Sequence, residues 1–160
     1  MIIAQNVKSN EGRIKEEIQQ TAAESVVPKP TAVFQEPEKG SVGADRGVYQ
    51  SKQIALGLLP DYDWENQWGS LEALWTAESG WQAGRLNKSS FACGIPQALP
   101  CTKIYSNFAS MEQVLINGKL FLKNPDAEKE IKWGLEYIKK RYGTPYKAYQ
   151  FFLAQSPHWY

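Results

Sequence analysis

The sequence predicts a mainly α domain with little or no sheet, preceded by a flexible polar tail. Three observations carry that expectation. Apolar residues beyond residue 48 recur at helical spacing, the segments that carry them are bounded by proline, glycine and capping residues, and alternating β-branched runs are missing. The chain has 160 residues, of which 42% are hydrophobic and 22% charged. That is the size and composition of one ordinary domain with room for a small appendage.

The elements follow in chain order. Residues 1–47 read as tail or linker: Phe34 is the one aromatic residue there, and the Pro28-Lys29-Pro30 to Pro37 stretch offers too little apolar surface to offset chain entropy. Inside it, Ile14, Ile18 and Ala22 form a narrow stripe over Asn10 to Glu24, which fits either a short partner-binding helix or a marginal solvated one. Residues 48–160 form the domain. A helix is expected from Val48 to Leu59, stopped by Pro60-Asp61, and another over Trp68 to Glu78, ended by Ser79-Gly80. Asn124 as cap with Pro125 in first helical position, acids in the first turn and Gly143 beyond the end predict a third helix. Its buried face is Ile131, Leu135, Ile138 and Tyr142. Thr144-Pro145 starts a last helix through Gln155, closed by Pro157, with Gln150 to Leu153 as core.

Charge and residue counts narrow the chemistry. The 18 Lys+Arg against 17 Asp+Glu leave a formal charge of +1, without the cationic surplus a dedicated nucleic-acid binder needs. One His and two Cys supply neither a His-rich nor an all-cysteine metal site, so no metal and no cofactor are expected. No apolar run reaches membrane-spanning length, and Met1 to Ala4 is too short for a secretion signal. Carboxylates, hydroxyls or amides remain as the working groups.

Glu78 is the carboxylate that stands out. At about 100° per residue, Leu71, Leu74, Trp75 and Glu78 share one helix face. A carboxyl against Leu and Trp is desolvated when charged, so its pKa rises and it holds a proton near neutrality, as a general acid must. The alternative is a helix-terminal Glu that turns to solvent.

The string Trp75-Thr-Ala-Glu78-Ser79-Gly80-Trp81, followed by Gly94-Ile95-Pro96-Gln97-Ala98-Leu99-Pro100 and by Asn124-Pro125 through Trp133, Tyr137 and Arg141-Tyr142-Gly143, resembles the lytic transglycosylases of the lysozyme-like superfamily. The match is closest to the short domains of actinobacterial cell-wall and phage tail proteins. The resemblance implies a lysozyme-like helical domain that binds peptidoglycan glycan strands, works outside the cytoplasm in the cell envelope or a virion, and cleaves the β-1,4 bond between N-acetylmuramic acid and N-acetylglucosamine; a monomer is expected, although nothing in the sequence fixes the oligomeric state. It further implies that Glu78 is the single general acid/base, leaving a 1,6-anhydro end. In the same way Ser79 supports Glu78, Gln97 lines the saccharide cleft, and Tyr137 points its hydroxyl at the carboxylate. Two departures stand out: the late alanine-tyrosine-asparagine motif of larger members is missing, and the 101–123 connection is longer, with Phe108 to Ile116 expected as an extra helix.

The residues by themselves leave alternatives beside these roles. Gln97 also fits a loop amide that caps backbone, and Tyr137 an amphipathic tyrosine with an exposed hydroxyl. Trp81 and Trp159 suit either sugar stacking or packing. His158 is left out of the catalytic set, being near the end of the chain. Cys93 and Cys101 bracket the Gln97 loop and are either bridged, as an oxidising compartment favours, or two buried thiols. A hydrolytic muramidase of the same fold and a non-catalytic wall-binding or virion structural module are the rival functions.

Overall fold

The computed structural model describes residues 43–156, together with Gln35 and Pro37. The helix expected over Asn10 to Glu24, and His158, Trp159 and Tyr160, lie outside the described residues. Among the described residues, four α-helices and one small sheet make the fold: α1 (Gly43–Leu58), α2 (Trp68–Glu78), β1 (Arg85–Leu86), β2 (Gln113–Ile116), β3 (Lys119–Leu122), α3 (Ala127–Arg141) and α4 (Pro145–Ala154). The architecture is mainly α with a three-stranded antiparallel sheet in the order β1-β3-β2. Among the described residues no helix is long and apolar enough to cross a membrane.

The helical layer packs α2 against α4 and α1 against α3. Helix α1 begins at Gly43 rather than at Val48, and Ala55 and Leu59 enter the core from it and the turn that follows. The predicted stripe of α2 is buried, with Leu71, Leu74 and Trp75 fully enclosed. On α3, Ile131, Leu135 and Ile138 are equally enclosed. Trp75 can reach α3 because Gly134 has no side chain: a Cβ there would stand 2.6 Å from Trp75 Cζ2 and 2.9 Å from Pro96 Cβ.

Helices α3 and α4 carry side-chain caps, and at α3 both the expected cap and the expected first helical residue, Pro125, are displaced. The α3 cap is Asp126, whose carboxylate accepts the Lys129 N–H at 3.0 Å, and not Asn124. Asn124 instead takes a left-handed conformation (φ 55°), which makes the turn into Pro125 rather than the cap. At the other end the Gly143 N–H closes on Ile138 O at 3.0 Å with φ 83°. Thr144 caps α4 through the Lys147 N–H. Within α4, Phe152 is buried, whereas Gln150 and Leu153 face out, so the run 150–153 is amphipathic and not core throughout.

The extra helix expected over Phe108 to Ile116 does not form. A short 3-10 turn, Phe108–Ser110, leads into a β-hairpin in which β2 and β3 pair from Gln113↔Leu122 to Ile116↔Lys119. The physical reason lies just past the segment. Asn117 and Gly118 both have positive φ, 48° and 74°, the geometry of a two-residue hairpin turn. Val114 and Ile116 are also poor helix formers and good strand residues.

A second apolar cluster lies under the sheet, around Leu86, Ile104, Tyr105 and Leu122, and contains the Cys93–Cys101 disulfide. Glu130 stands at its seam with the helical core. Fully buried, it accepts hydrogen bonds from the Gly84 N–H (2.9 Å), the Ile95 N–H (2.9 Å) and the Tyr105 hydroxyl (2.7 Å). Gly94 must lack a side chain to let it in, since a Cβ there would meet Glu130 Cδ at 2.6 Å.

Candidate functional site

Helix α2 ends in a tight reversal that sets the direction of Glu78. The N–H groups of Ser79, Gly80 and Trp81 all fold back onto Trp75 O. Gly80 (φ 66°) and Trp81 (φ 62°) are both left-handed. Such a conformation is unfavourable for a bulky residue, and packing holds it: the Trp81 ring lies 5.3 Å from Trp68 and 5.1 Å from Trp75, and its Nε1 donates to Glu72 O at 3.2 Å. Trp81 is 1% exposed, so it offers protein, not solvent, the faces of its ring. Ser79 is also buried, its hydroxyl turned back to Trp75 O.

Glu78 itself is half-buried at the end of the apolar stripe. Among the described residues, no hydrogen bond or ion pair reaches its carboxyl. Burial pushes it up to about 7. At neutral pH it therefore holds a proton in a large share of molecules, and it can either give that proton or take one back.

Glu78 opens into a pocket of about 300 Å³ lined by Thr76, Ser79, Gln82, Arg85 and Lys119 among others. A larger, mostly apolar hollow of about 780 Å³ lies alongside, between α1 and the hairpin. Gln82 and Lys119 line both, so the two form one groove along the face of the sheet. Glu78 belongs to the smaller end, and the larger hollow carries no carboxyl among its lining residues.

Gln97 and Tyr137 line a separate hollow of about 180 Å³, with Trp133 and Arg141. The structure thus brings the expected site residues together as two pairs, Glu78 with Ser79 and Gln97 with Tyr137. The Gln97 amide donates to Arg85 O (3.1 Å) and Gly94 O (2.8 Å), which is the backbone-capping alternative. The Tyr137 hydroxyl accepts from Arg141 Nη1 at 2.7 Å, and its ring stacks on Trp133. The tyrosine within the field of Glu78 is Tyr142, which burial above all, with Tyr137 and Glu78 adding to it, pushes up to about 12.

Three residues of this region escaped the sequence reading. Arg85 and Lys119 lacked any motif, although the Asn117-Gly118 signal would have placed Lys119 at the start of a strand. Glu130 lies in the first turn of α3, where an acid is favoured by the helix dipole alone. Among the described residues no group of His, Cys, Asp and Glu is arranged to hold a metal ion.

Fold and pocket together define a mainly α protein with a small sheet and one desolvated glutamic acid facing a pocket lined by two cations. No family model, no curated protein and no solved structure gives a significant match to this chain.

Proposed function

We propose that the chain is a lytic transglycosylase with a lysozyme-like domain, acting on peptidoglycan in the cell envelope or a virion. The observation that carries the reading is Glu78, a carboxyl raised by burial to about 7 at the mouth of a groove along the sheet. Glu78 protonates the glycosidic oxygen, the bond from that oxygen to C1 of the muramic residue breaks, and positive charge develops at C1. The Glu78 carboxylate then takes the proton of the same sugar's C6 hydroxyl as O6 bonds to C1. The 1,6-anhydro ring forms and Glu78 is again protonated. Glu78 is the one acid among the residues lining its pocket, which suits a reaction whose nucleophile comes from the substrate. The Cys93–Cys101 disulfide suits an oxidising compartment.

Mass spectrometry of the fragments released from purified sacculi tests the reading. Muropeptides ending in the anhydro sugar are expected. Ends heavier by one water would make the chain a hydrolytic muramidase, and binding to sacculi without release would make it a wall-binding module.

A further inference from the structure

Two cations line the pocket that holds Glu78, and the sheet register explains why. Arg85 of β1 pairs with Phe121 of β3, and Lys119 lies two residues from Phe121 on the same strand. Cross-strand partners and alternate residues of a strand lie on one face, so Arg85, Phe121 and Lys119 all face the groove. The Arg85 guanidinium lies over the Phe121 ring, Cζ 5.5 Å from its centroid. The backbone beneath is held from both sides: Arg85 N–H donates to Gln82 O, and Arg85 O accepts from the Gly94 N–H and the Gln97 amide. The Arg85 backbone is set firmly in place, and Gln97 is one of the groups that fix it.

Among the described residues no carboxylate pairs with either charge. Arg85 Nη1 is buried without a hydrogen-bond partner among the described residues. A guanidinium has only donors, and a buried donor left unpaired is costly, so the site calls for an acceptor. Lys119 has no ion pair among the described residues, whereas neighbouring Lys52 and Lys123 are bound to Glu72 and Glu112 at 2.8 Å each. No ion pair joins Glu78 to either cation among the described residues.

We propose that Arg85 and Lys119 form a carboxylate subsite beside Glu78, so that the chain selects acidic β-1,4 glycans over neutral ones of equal length. This deepens the lytic reading and rests on it for the identity of the glycan. Two sources of the carboxylate exist in such a polymer, the lactyl group of a peptide-free muramic residue and the acids of an attached stem peptide. In the second case the lactyl group is an amide and carries no charge.

The experiment uses the full chain with Glu78→Gln, which cannot turn over, and titrates three probes of equal glycan length. They are a neutral N-acetylglucosamine oligomer, a peptide-free oligomer with alternating muramic acid, and the same oligomer bearing stem peptides. At least one acidic probe is expected to bind about ten- to a hundredfold tighter than the neutral one, the scale of a charge-assisted hydrogen bond, with the preference shrinking as salt is added. Which acidic probe is preferred identifies the source. Adding Arg85→Gln is expected to abolish the preference. If that variant does not fold, Lys119→Gln at the exposed strand end decides, with a loss of about two- to fivefold, as befits an exposed charge. Equal binding of all probes, absence of binding, a preference that survives in a folded Arg85→Gln variant, or one undiminished in Lys119→Gln overturns the subsite. If the unsubstituted chain releases no fragments from sacculi while the preference holds, the lytic reading falls and the subsite stands.

Discussion

A carboxyl that keeps its proton at neutral pH is one the fold would rather not see charged. The pKa of Glu78 is raised from an ordinary 4.5 to about 7 in the folded state. Its contribution to stability is therefore fully present below about pH 4.5 and is lost as pH rises through about 7. Glu78→Gln removes that dependence. The variant is expected to gain up to about 3 kcal/mol over the native chain at pH 8 and little at pH 4, read from urea unfolding at the two values. Release of muropeptides should meanwhile fall at least roughly 10²–10³-fold. A variant that is less stable at pH 8, or equally active, contradicts the role given to Glu78. This residue was legible in advance because Leu71, Leu74, Trp75 and Glu78 share a period of 3.6, a purely local fact. Trp81 was not, because two successive left-handed residues turn its ring into the core, and no pattern of side chains announces a positive φ on tryptophan. Tyr142 was legible as a buried-face residue but not as the neighbour of Glu78, which depends on how α2 meets the end of α3.

At the scale of the element, helices were easier to foresee than strands. Helix α4 carries its start signal in two adjacent residues, Thr144 and Pro145, and the structure uses both. The hairpin carries its signal in Asn117 and Gly118, but Leu115 and Ile116 are largely exposed, so the alternation that marks a half-buried strand is blurred. Gly118→Val should cost about 1–2 kcal/mol, because a β-branched residue resists φ near 74°. Since the turn sets Lys119, the variant should also blunt the preference for acidic glycan while leaving the helical circular dichroism unchanged. Between helices, Gly134→Ala places a methyl 2.6 Å from Trp75. It should lower the urea midpoint by an amount equivalent to about 1–3 kcal/mol without changing the slope. The disulfide closes a ring over a sequence separation of 8 residues around Gln97. Replacing both cysteines by alanine should cost about 2–3 kcal/mol, and an unchanged midpoint would mean that the ring constrains nothing.

For the whole molecule, the question is what joins a helical core to a sheet core within a single chain. The general class, mainly α with very little sheet, could be read from punctuation and periodicity. The joint could not, because the three donors to Glu130 come from residues 84, 95 and 105, and its own position resembles an ordinary helix-start acid. Glu130→Ala strips acceptors from two buried backbone N–H groups and opens a void, and should cost at least about 3 kcal/mol by urea unfolding. The same carboxyl has a kinetic signature. The amide hydrogens of Gly84 and Ile95 are held by one buried atom group that also grips Tyr105, so neither can meet solvent while the two cores stay docked. In deuterated water both should exchange at one common slow rate, set by global unfolding, although they lie in irregular backbone where exchange is ordinarily fast.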